Sequence, residues 1–564
     1  MALKQPRTVI LAAVALLAVI LVVTIGGDPA PRPGPGAGRA AGGGRGGGEA
    51  AGPRPDAPPG RCQGVRVRPG DDLQAAADAH PEGTGFCLTV GVHRLASVVP
   101  RNGQRFRGEG GRTVLSGARR LQAARARRDA GGRWYWDGQT QESARSGKLI
   151  DPGPGQPPNE GDLWAEELFV TPSGSPADSP TRLRRTTSLV GLGPGEWYLD
   201  QAADRVYVAD DPADLGLIET SVTRMAIGAP TPAGPREVTV ENLVVEKYAS
   251  PTQRAAVGGA GAADWTIRWV TVRFNHGTGV ELGPGTLLER SKIHHMGQEG
   301  LSGGGDATRR PTVVRGTEVA FNRTLTFDPD WDAGGAKLTH AHGRGLVVEN
   351  SWFHHNFGYG LWLDIDNHDV TVRSNRFEAN DEAGIFYEVS RRGRIYWNEV
   401  FGSTDGPKDS EFGGAGIRVY NSADVDVHHN LVRDNTNGIL VVEDRQVTRW
   451  AAGRYRQGVP HVQAVRIRGN DVQMLRGVTG MRVESGDARA YWRPSNVRFA
   501  GNTYRMERAR ERFLGPGNDY YGYAEWRRLG HDRDGRLLPA ASHGSLPAGA
   551  TAFVMGVYGA QGGI

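Results

Sequence analysis

Cysteine and lysine are scarce in this chain, and long apolar runs are nearly absent. Only two of 564 residues are cysteine, Cys62 and Cys87. In an oxidising compartment they form one disulfide, closing a loop of about 25 residues; two buried free thiols are the alternative. Six of the 67 basic residues are lysine, the rest arginine. A lysine at a special place is therefore informative. The net charge of +5 is small for this length, which argues against nucleic acid as a partner. One uncharged apolar run stands out, Thr8 to Ile25, preceded by Lys4 and Arg7. It reads as a membrane anchor with its positive end inside, or as a signal peptide that is cut. Residues 1–27 are assigned to it. Residues 28–60, rich in Pro, Gly, Ala and Arg, read as a disordered linker. Together these place the remainder outside the cytoplasm, tethered to the membrane or secreted.

What is abundant is glycine, 82 residues, about twice average usage. It recurs in register. Gly360-Leu-Trp-Leu-Asp364, Gly384-Ile-Phe-Tyr-Glu388, Gly416-Ile-Arg-Val-Tyr420 and Gly438-Ile-Leu-Val-Val442 share one pattern. Val370-Thr-Val-Arg-Ser-Asn375, Gly393-Arg-Ile-Tyr-Trp-Asn398 and Val425-Asp-Val-His-His-Asn430 share a second. Apolar residues alternate with outward ones, the strand period of two. Each glycine fits a tight corner. A two-strand unit this short cannot bury its own apolar face and must stack on copies of itself. The expected fold is all-β, a parallel β-helix.

In chain order, residues 61–118 read as an amino-terminal cap and first coils, with a short helix opening at Asp71-Asp72. Residues 119–235 break the repeat and read as an inserted β-rich subdomain. Its aromatics (Trp134, Tyr135, Trp136, Trp164, Trp197, Tyr198) form either its small core or a sugar-stacking surface. Residues 236–514 carry the coils, and 515–564 a carboxy-terminal cap or tail. Stacked asparagines such as Asn375, Asn398, Asn430, Asn470 and Asn502, and a second set with Asn322, Asn356, Asn380 and Asn435, are expected to hydrogen-bond along the stack.

In the glycine-led strand the second and fourth residues point outward. That set is Lys337, Trp362, Asp364, Phe386, Glu388, Arg418 and Tyr420. Neighbouring coils lie ~4.8 Å apart, so Lys337, Asp364 and Glu388 share one outer face, with Asp366 continuing it unless the strand turns first. Two long loops leave on flanking coils, through Thr326-Phe-Asp-Pro-Asp-Trp-Asp332 and through Asp405 to Glu411. They are expected to wall a cleft. Stacked carboxylates repel, so one pKa should rise, which suits a general acid beside an ionised partner. Lys337, Asp364, Glu388 and Asp366 are the catalytic candidates. Trp362, Phe386, Arg418, Tyr420 and Trp331 are the substrate-binding candidates. Asp328, Asp330 and Asp332 are candidate ligands for Ca2+, although no cofactor is required. The pairs His294-His295 and His354-His355 read as repeat decoration, and His340-Ala-His342 as a better ligand candidate.

The segments Gly360 to Asn367 and Asn380 to Ser390 resemble exported right-handed parallel β-helix proteins common in actinobacteria, of the pectin-lyase-like superfamily. Pro69 to Gln74 and Gly91 to Leu95 are similar to their amino-terminal cap. Phe327 to Lys337 resembles their tryptophan–glycine–lysine segment. The resemblance spans about residues 61 to 540 and implies a right-handed coil. It leaves activity open, because the superfamily holds lyases, hydrolases, epimerases and binders. The paired-aspartate and Gly-His-Gly set of polygalacturonases is missing, as are the arginine motifs of the main pectate lyases and the Asp-Pro-His-Glu motif of mannuronan epimerases.

The expected function is therefore carbohydrate-active, on a polysaccharide or cell-surface glycan. In a lyase, Lys337 would abstract the C5 proton of a uronate. In a hydrolase, Asp364 and Glu388 would be the acid and the nucleophile or base. A non-catalytic glycan binder or adhesin is the alternative.

Overall fold

The computed structural model describes residues 62–150, 158–176, 179–404, 413–444, 455, 458–474, 477–484, 491–492, 496–506 and 512–539. The apolar amino-terminal run and the linker lie outside the described residues. Among the described residues no helix is long and apolar enough to cross a membrane.

The chain winds into a parallel β-helix. One 12-stranded sheet carries the glycine-led strands, and a 24-stranded sheet carries the remainder of each coil. A coil has three strands rather than the two read from the repeat. In one coil these are Leu361–Asp364, His368–Arg373 and Arg376–Glu378, and in the next Ile385–Glu388, Arg391–Tyr396 and Glu399–Phe401. The third strand is only three residues long, too short for its alternation to register as a separate pattern. Coils pair in parallel at fixed register, with Leu361 on Ile385 on Ile417, and Leu363 on Tyr387 on Val419. All six of these side chains are fully buried. Each buried aliphatic contributes roughly 1.5–3 kcal/mol, and only stacking removes it from water.

The repeated glycines serve close approach of the coils. A Cβ on Gly360 would lie 2.6 Å from the Gly384 carbonyl oxygen, and one on Gly335 2.4 Å from that of Gly360. Corner dihedrals are supplied instead by non-glycine residues, including Ser374, Trp397 and His429 at φ of 54–55°. Each is followed by a ladder asparagine. Asn375 donates through Nδ2 to Asn398 Oδ1 at 3.0 Å, and Asn398, Asn430 and Asn470 each donate to the next at the same distance. Asn398 also donates to the Val372 carbonyl at 3.0 Å. The ladder ends on Asp532, which accepts from Asn502 at 2.9 Å and from buried Trp526 in the helix Tyr523–Arg528. The second ladder runs from Asn322 through Asn356 to Asn380.

At the amino-terminal end, Leu73–Asp78 is helical, with Asp72 accepting from the Ala75 amide at 3.0 Å as its N-cap. Cys62 and Cys87 are disulfide-bonded. Strand Ala118–Leu121 leaves the coils for an antiparallel four-stranded sheet and a mixed five-stranded one, and Leu217–Ser221 returns antiparallel to it. Trp136 and Trp197 are buried in the core of this insertion, whereas Trp134, Tyr135, Trp164 and Tyr198 are half-buried.

Replacing Asn398 with alanine orphans the Val372 carbonyl and breaks the ladder on both sides. Each buried polar group left unpaired costs about 1–3 kcal/mol. The denaturation midpoint of Asn398→Ala is expected to fall accordingly in urea titrations. An unchanged midpoint would mean that the ladder carries no stability.

Candidate active site

The insertion props the first long loop against the coils. Asp162 accepts from the Thr326 hydroxyl at 2.6 Å and from its amide at 2.9 Å. The Ile150 amide donates to the Thr326 carbonyl, and the Asp328 amide to Lys148. Phe327, fully buried, packs with Leu163 and Ala333. Asp328 caps the single turn Pro329–Asp332 and pairs with Lys148 at 2.8 Å. This turn delivers Trp331 and Asp332 to the outer face of the coils.

Lys337 is the centre they reach. It lies in strand Gly334–Gly343, against Trp362 on the next coil. Its Nζ sits 3.0 Å from Asp332 Oδ1 and 3.0 Å from Asp364 Oδ2, donates to the Trp331 carbonyl at 2.8 Å, and lies 3.6 Å from the Trp362 ring centroid. Burial works against the lysine's charge, but Asp364 and Asp332 outweigh it and hold its pKa above the ordinary value.

Asp364 ends strand Leu361–Asp364, where its Oδ1 accepts from the Ile365 amide at 2.7 Å. The register that puts Leu361 on Ile385 and Leu363 on Tyr387, continued one residue, sets Asp364 on Glu388. Glu388 is half-buried and accepts from the Trp362 indole at 2.8 Å. Burial first, and then the Asp364 charge, push its pKa up to about 8; Arg418, Lys337 and the indole lower it without cancelling the rise. Burial also raises Asp364, and the ion pair to Lys337 opposes that rise. Lys337, Asp364 and Glu388 are thus brought together as their outward positions imply.

Other expectations are corrected. The chain turns immediately after Asp364, with Ile365 and Asp366 at φ of 54° and 59°. Asp366 therefore leaves this cluster and turns to His342 and His368. Trp362 and Phe386 are stacked on each other, with ring centroids 5.4 Å apart, and are buried with Tyr359 and Tyr420 in one apolar cluster. They make a covered floor instead of open sugar platforms. Trp331 meets Lys337 through its carbonyl. Arg418, half-buried, lies over Phe386 and Tyr420. Asp328, Asp330 and Asp332 go to separate partners, Lys148, the Tyr359 hydroxyl and Lys337. A cavity of about 810 Å³ lies at the corner where the long loops leave, lined by His295, Phe321, Arg323, Phe357, Asp381 and Thr404. It includes none of the three central residues. Most of the second loop, 405–412, lies outside the described residues.

Three further groups join the cluster. Glu299 is buried beside Gly334 in register, its pKa raised well above normal by burial and then by Asp332. Tyr359 donates to Asp330 at 3.0 Å. Glu382 is pushed up to about 8 by burial and then by Asp330. All three sit one or two residues before a glycine-led strand, a position that outward alternation does not address.

Comparisons with known proteins bear on the fold. A family model described as a right-handed β-helix region matches residues 255–408. A complex of XylC with xylose is similar in structure at a TM-score of 0.56 and 13% identity, spanning 84% of this chain and 83% of that one. A structure named only as a glycoside hydrolase aligns at a TM-score of 0.40 and 13% identity, over 79% of this chain and 92% of that one. The A-module of mannuronan C-5 epimerase AlgE6 from Azotobacter vinelandii aligns at 0.39 and 13%, over 84% and 93%. No curated protein matches the chain. The chain is a right-handed parallel β-helix protein. At this identity the likeness defines the fold, and chemistry has to be argued from the site.

Removing the Lys337 charge leaves two carboxylates without their cation. Lys337→Met is expected to lose about 3–5 kcal/mol of stability at pH 7. The loss should shrink at lower pH, where Asp364, raised by burial and without its lysine, takes up a proton. Urea titrations at pH 5 and 7 check this, and a pH-independent loss below about 1 kcal/mol would place the pair in the solvent-screened class.

Proposed function

We propose that this chain is a glycoside hydrolase acting on a polysaccharide or cell-surface glycan outside the cytoplasmic membrane, with Glu388 as general acid and Asp364 as nucleophile. The observation that carries the reading is the pair of carboxyls on adjacent coils with different surroundings. Glu388 has a pKa pushed up to about 8 and holds its proton at neutral pH. Asp364 is paired with a buried lysine at 3.0 Å. Two carboxyl groups in contrasting environments are how one site keeps an acid and a base together.

Adjacent coils stand ~4.8 Å apart, close to the roughly 5–5.5 Å separation of retaining glycosidases. In that mechanism Glu388 protonates the glycosidic oxygen as the bond to the anomeric carbon breaks, and an Asp364 oxygen bonds to that carbon. Water, giving a proton to the Glu388 carboxylate, then displaces Asp364 and leaves the free sugar. Lys337 and the Ile365 amide orient Asp364 and favour its ionised form against the rise that burial causes. A lyase with Lys337 as base is poorly supported, because a lysine held charged by two carboxylates has no lone pair to offer. XylC, alike in fold, has been seen with xylose; for this chain the reading rests on its own carboxyl pair.

The test is a panel of polysaccharides and aryl glycosides. The wild type is expected to release reducing ends without unsaturated uronates. Glu388→Gln should lower kcat by roughly 10²–10⁴-fold, and Asp364→Asn by at least as much. Because the acid must be protonated, kcat/KM should fall as pH rises through about 8. Unsaturated products would establish a lyase instead. Glycan retention without any cleavage would establish a binder.

A further inference from the structure

We propose that His342, Asp366 and His368 form a binding site for one divalent transition-metal ion of the zinc class. The site is separate from the carboxyl pair, and the inference does not rest on the proposed hydrolysis.

The three residues come from two consecutive coils. His342 lies at the end of strand Gly334–Gly343, Asp366 in the turn after Leu361–Asp364, and His368 at the start of His368–Arg373. One ligand atom from each lies within 4.8 Å of the others, and among the described residues this is the only cluster of its kind. His342 Nε2 is 3.1 Å from Asp366 Oδ2, and His368 Nε2 is 3.1 Å from Asp366 Oδ1. The two imidazole rings stand 4.7 Å apart, centroid to centroid. All three residues are buried, at 7%, 2% and 6% exposure.

The alternative is a set of plain hydrogen bonds, each imidazole donating to Asp366. His342 Nε2 fits that poorly. It faces the Asp366 main-chain carbonyl at 2.5 Å as well as the carboxylate oxygen. One N–H serves both oxygens only through a weaker three-centre bond, whereas a cation can be shared among them. Metal bonds of about 2.0–2.2 Å at tetrahedral angles set ligand atoms roughly 3.4 Å apart, so a small inward or outward shift admits an ion. Two imidazole nitrogens with one carboxylate favour zinc, manganese, iron or cobalt over calcium. Asp306, on the preceding coil and in register with His342, adds negative charge nearby. The neighbouring cation, Arg392, has its charge matched by Asp369 in two bonds of 2.8 and 2.9 Å, while its Nη2 stands 3.4 Å from His368 Nδ1. An ion here clips two coils together and fixes the turn two residues beyond Asp364.

The experiment uses the full chain without an affinity tag, stripped with a chelator and titrated with Co2+. One equivalent is expected to bind with visible d–d absorption, and Zn2+ should displace it. X-ray absorption on the zinc-loaded protein should show two imidazole ligands. Asp366→Asn and His368→Ala should abolish the Co2+ band. Failure of the wild type to take up one equivalent overturns the proposal, whatever the variants do. So does a band that persists unchanged in folded Asp366→Asn or His368→Ala, because the ion would then sit elsewhere. If the variants fail to fold, the imidazole count on the wild type decides: two supports the site, and none contradicts it.

Discussion

Every coil of this chain lies on its predecessor at one fixed spacing and in parallel register. A residue type at one position of the repeat therefore meets its counterparts along a column. Where the column is apolar it becomes core, as with Leu361, Ile385 and Ile417. Where it is asparagine it becomes a hydrogen-bonded ladder that satisfies corner carbonyls. Where it holds charges they cannot avoid one another, and the fold has to match them. Asp364 and Glu388 occupy such a column, Lys337 reaches Asp364 from the neighbouring one, where it lies on Trp362, and the loop carrying Asp332 is folded over the lysine.

The insertion has a clear mechanical place in this arrangement. It holds Thr326, Phe327 and Asp328, and through them the turn that brings Asp332 and the Trp331 carbonyl to Lys337. A lysine with this many partners is locked as a cation. Its service is to neutralise Asp364, while at Glu388, one coil further on, burial and the Asp364 charge outweigh what Arg418, Lys337 and the indole offer the ionised form. The environment thus divides two chemically similar groups into unlike roles.

Much of this was legible from residue order because a period-two repeat fixes both side and height of every side chain. Inward and outward positions, the asparagine columns, the helical cap after Asp72 and the approach of Lys337 to Asp364 all follow from that periodicity. The parts that were not legible depend on corners and loops. Whether Asp366 continues the face of Asp364 depends on where the strand turns, and two successive residues at positive φ turn it to His342 and His368. The glycines were read as corners, whereas their small size is needed for coil-to-coil contact. Outward alternation does not separate exposed from covered positions, and Trp362 and Phe386, which point outward, are buried in an apolar cluster. Glu299 and Glu382 precede the leading glycines of their coils, Gly300 and Gly384, and fall outside the alternation argument.

The central claim is that Glu388 carries a proton at neutral pH beside an ionised Asp364. Isotope-edited infrared spectroscopy measures this directly, comparing protein carrying carboxyl-labelled glutamate with the same labelled Glu388→Gln variant. The account predicts a protonated-carboxyl band that is absent from the variant and disappears with a midpoint near pH 8. A band that is gone by about pH 5, as for an ordinary glutamate, would contradict it.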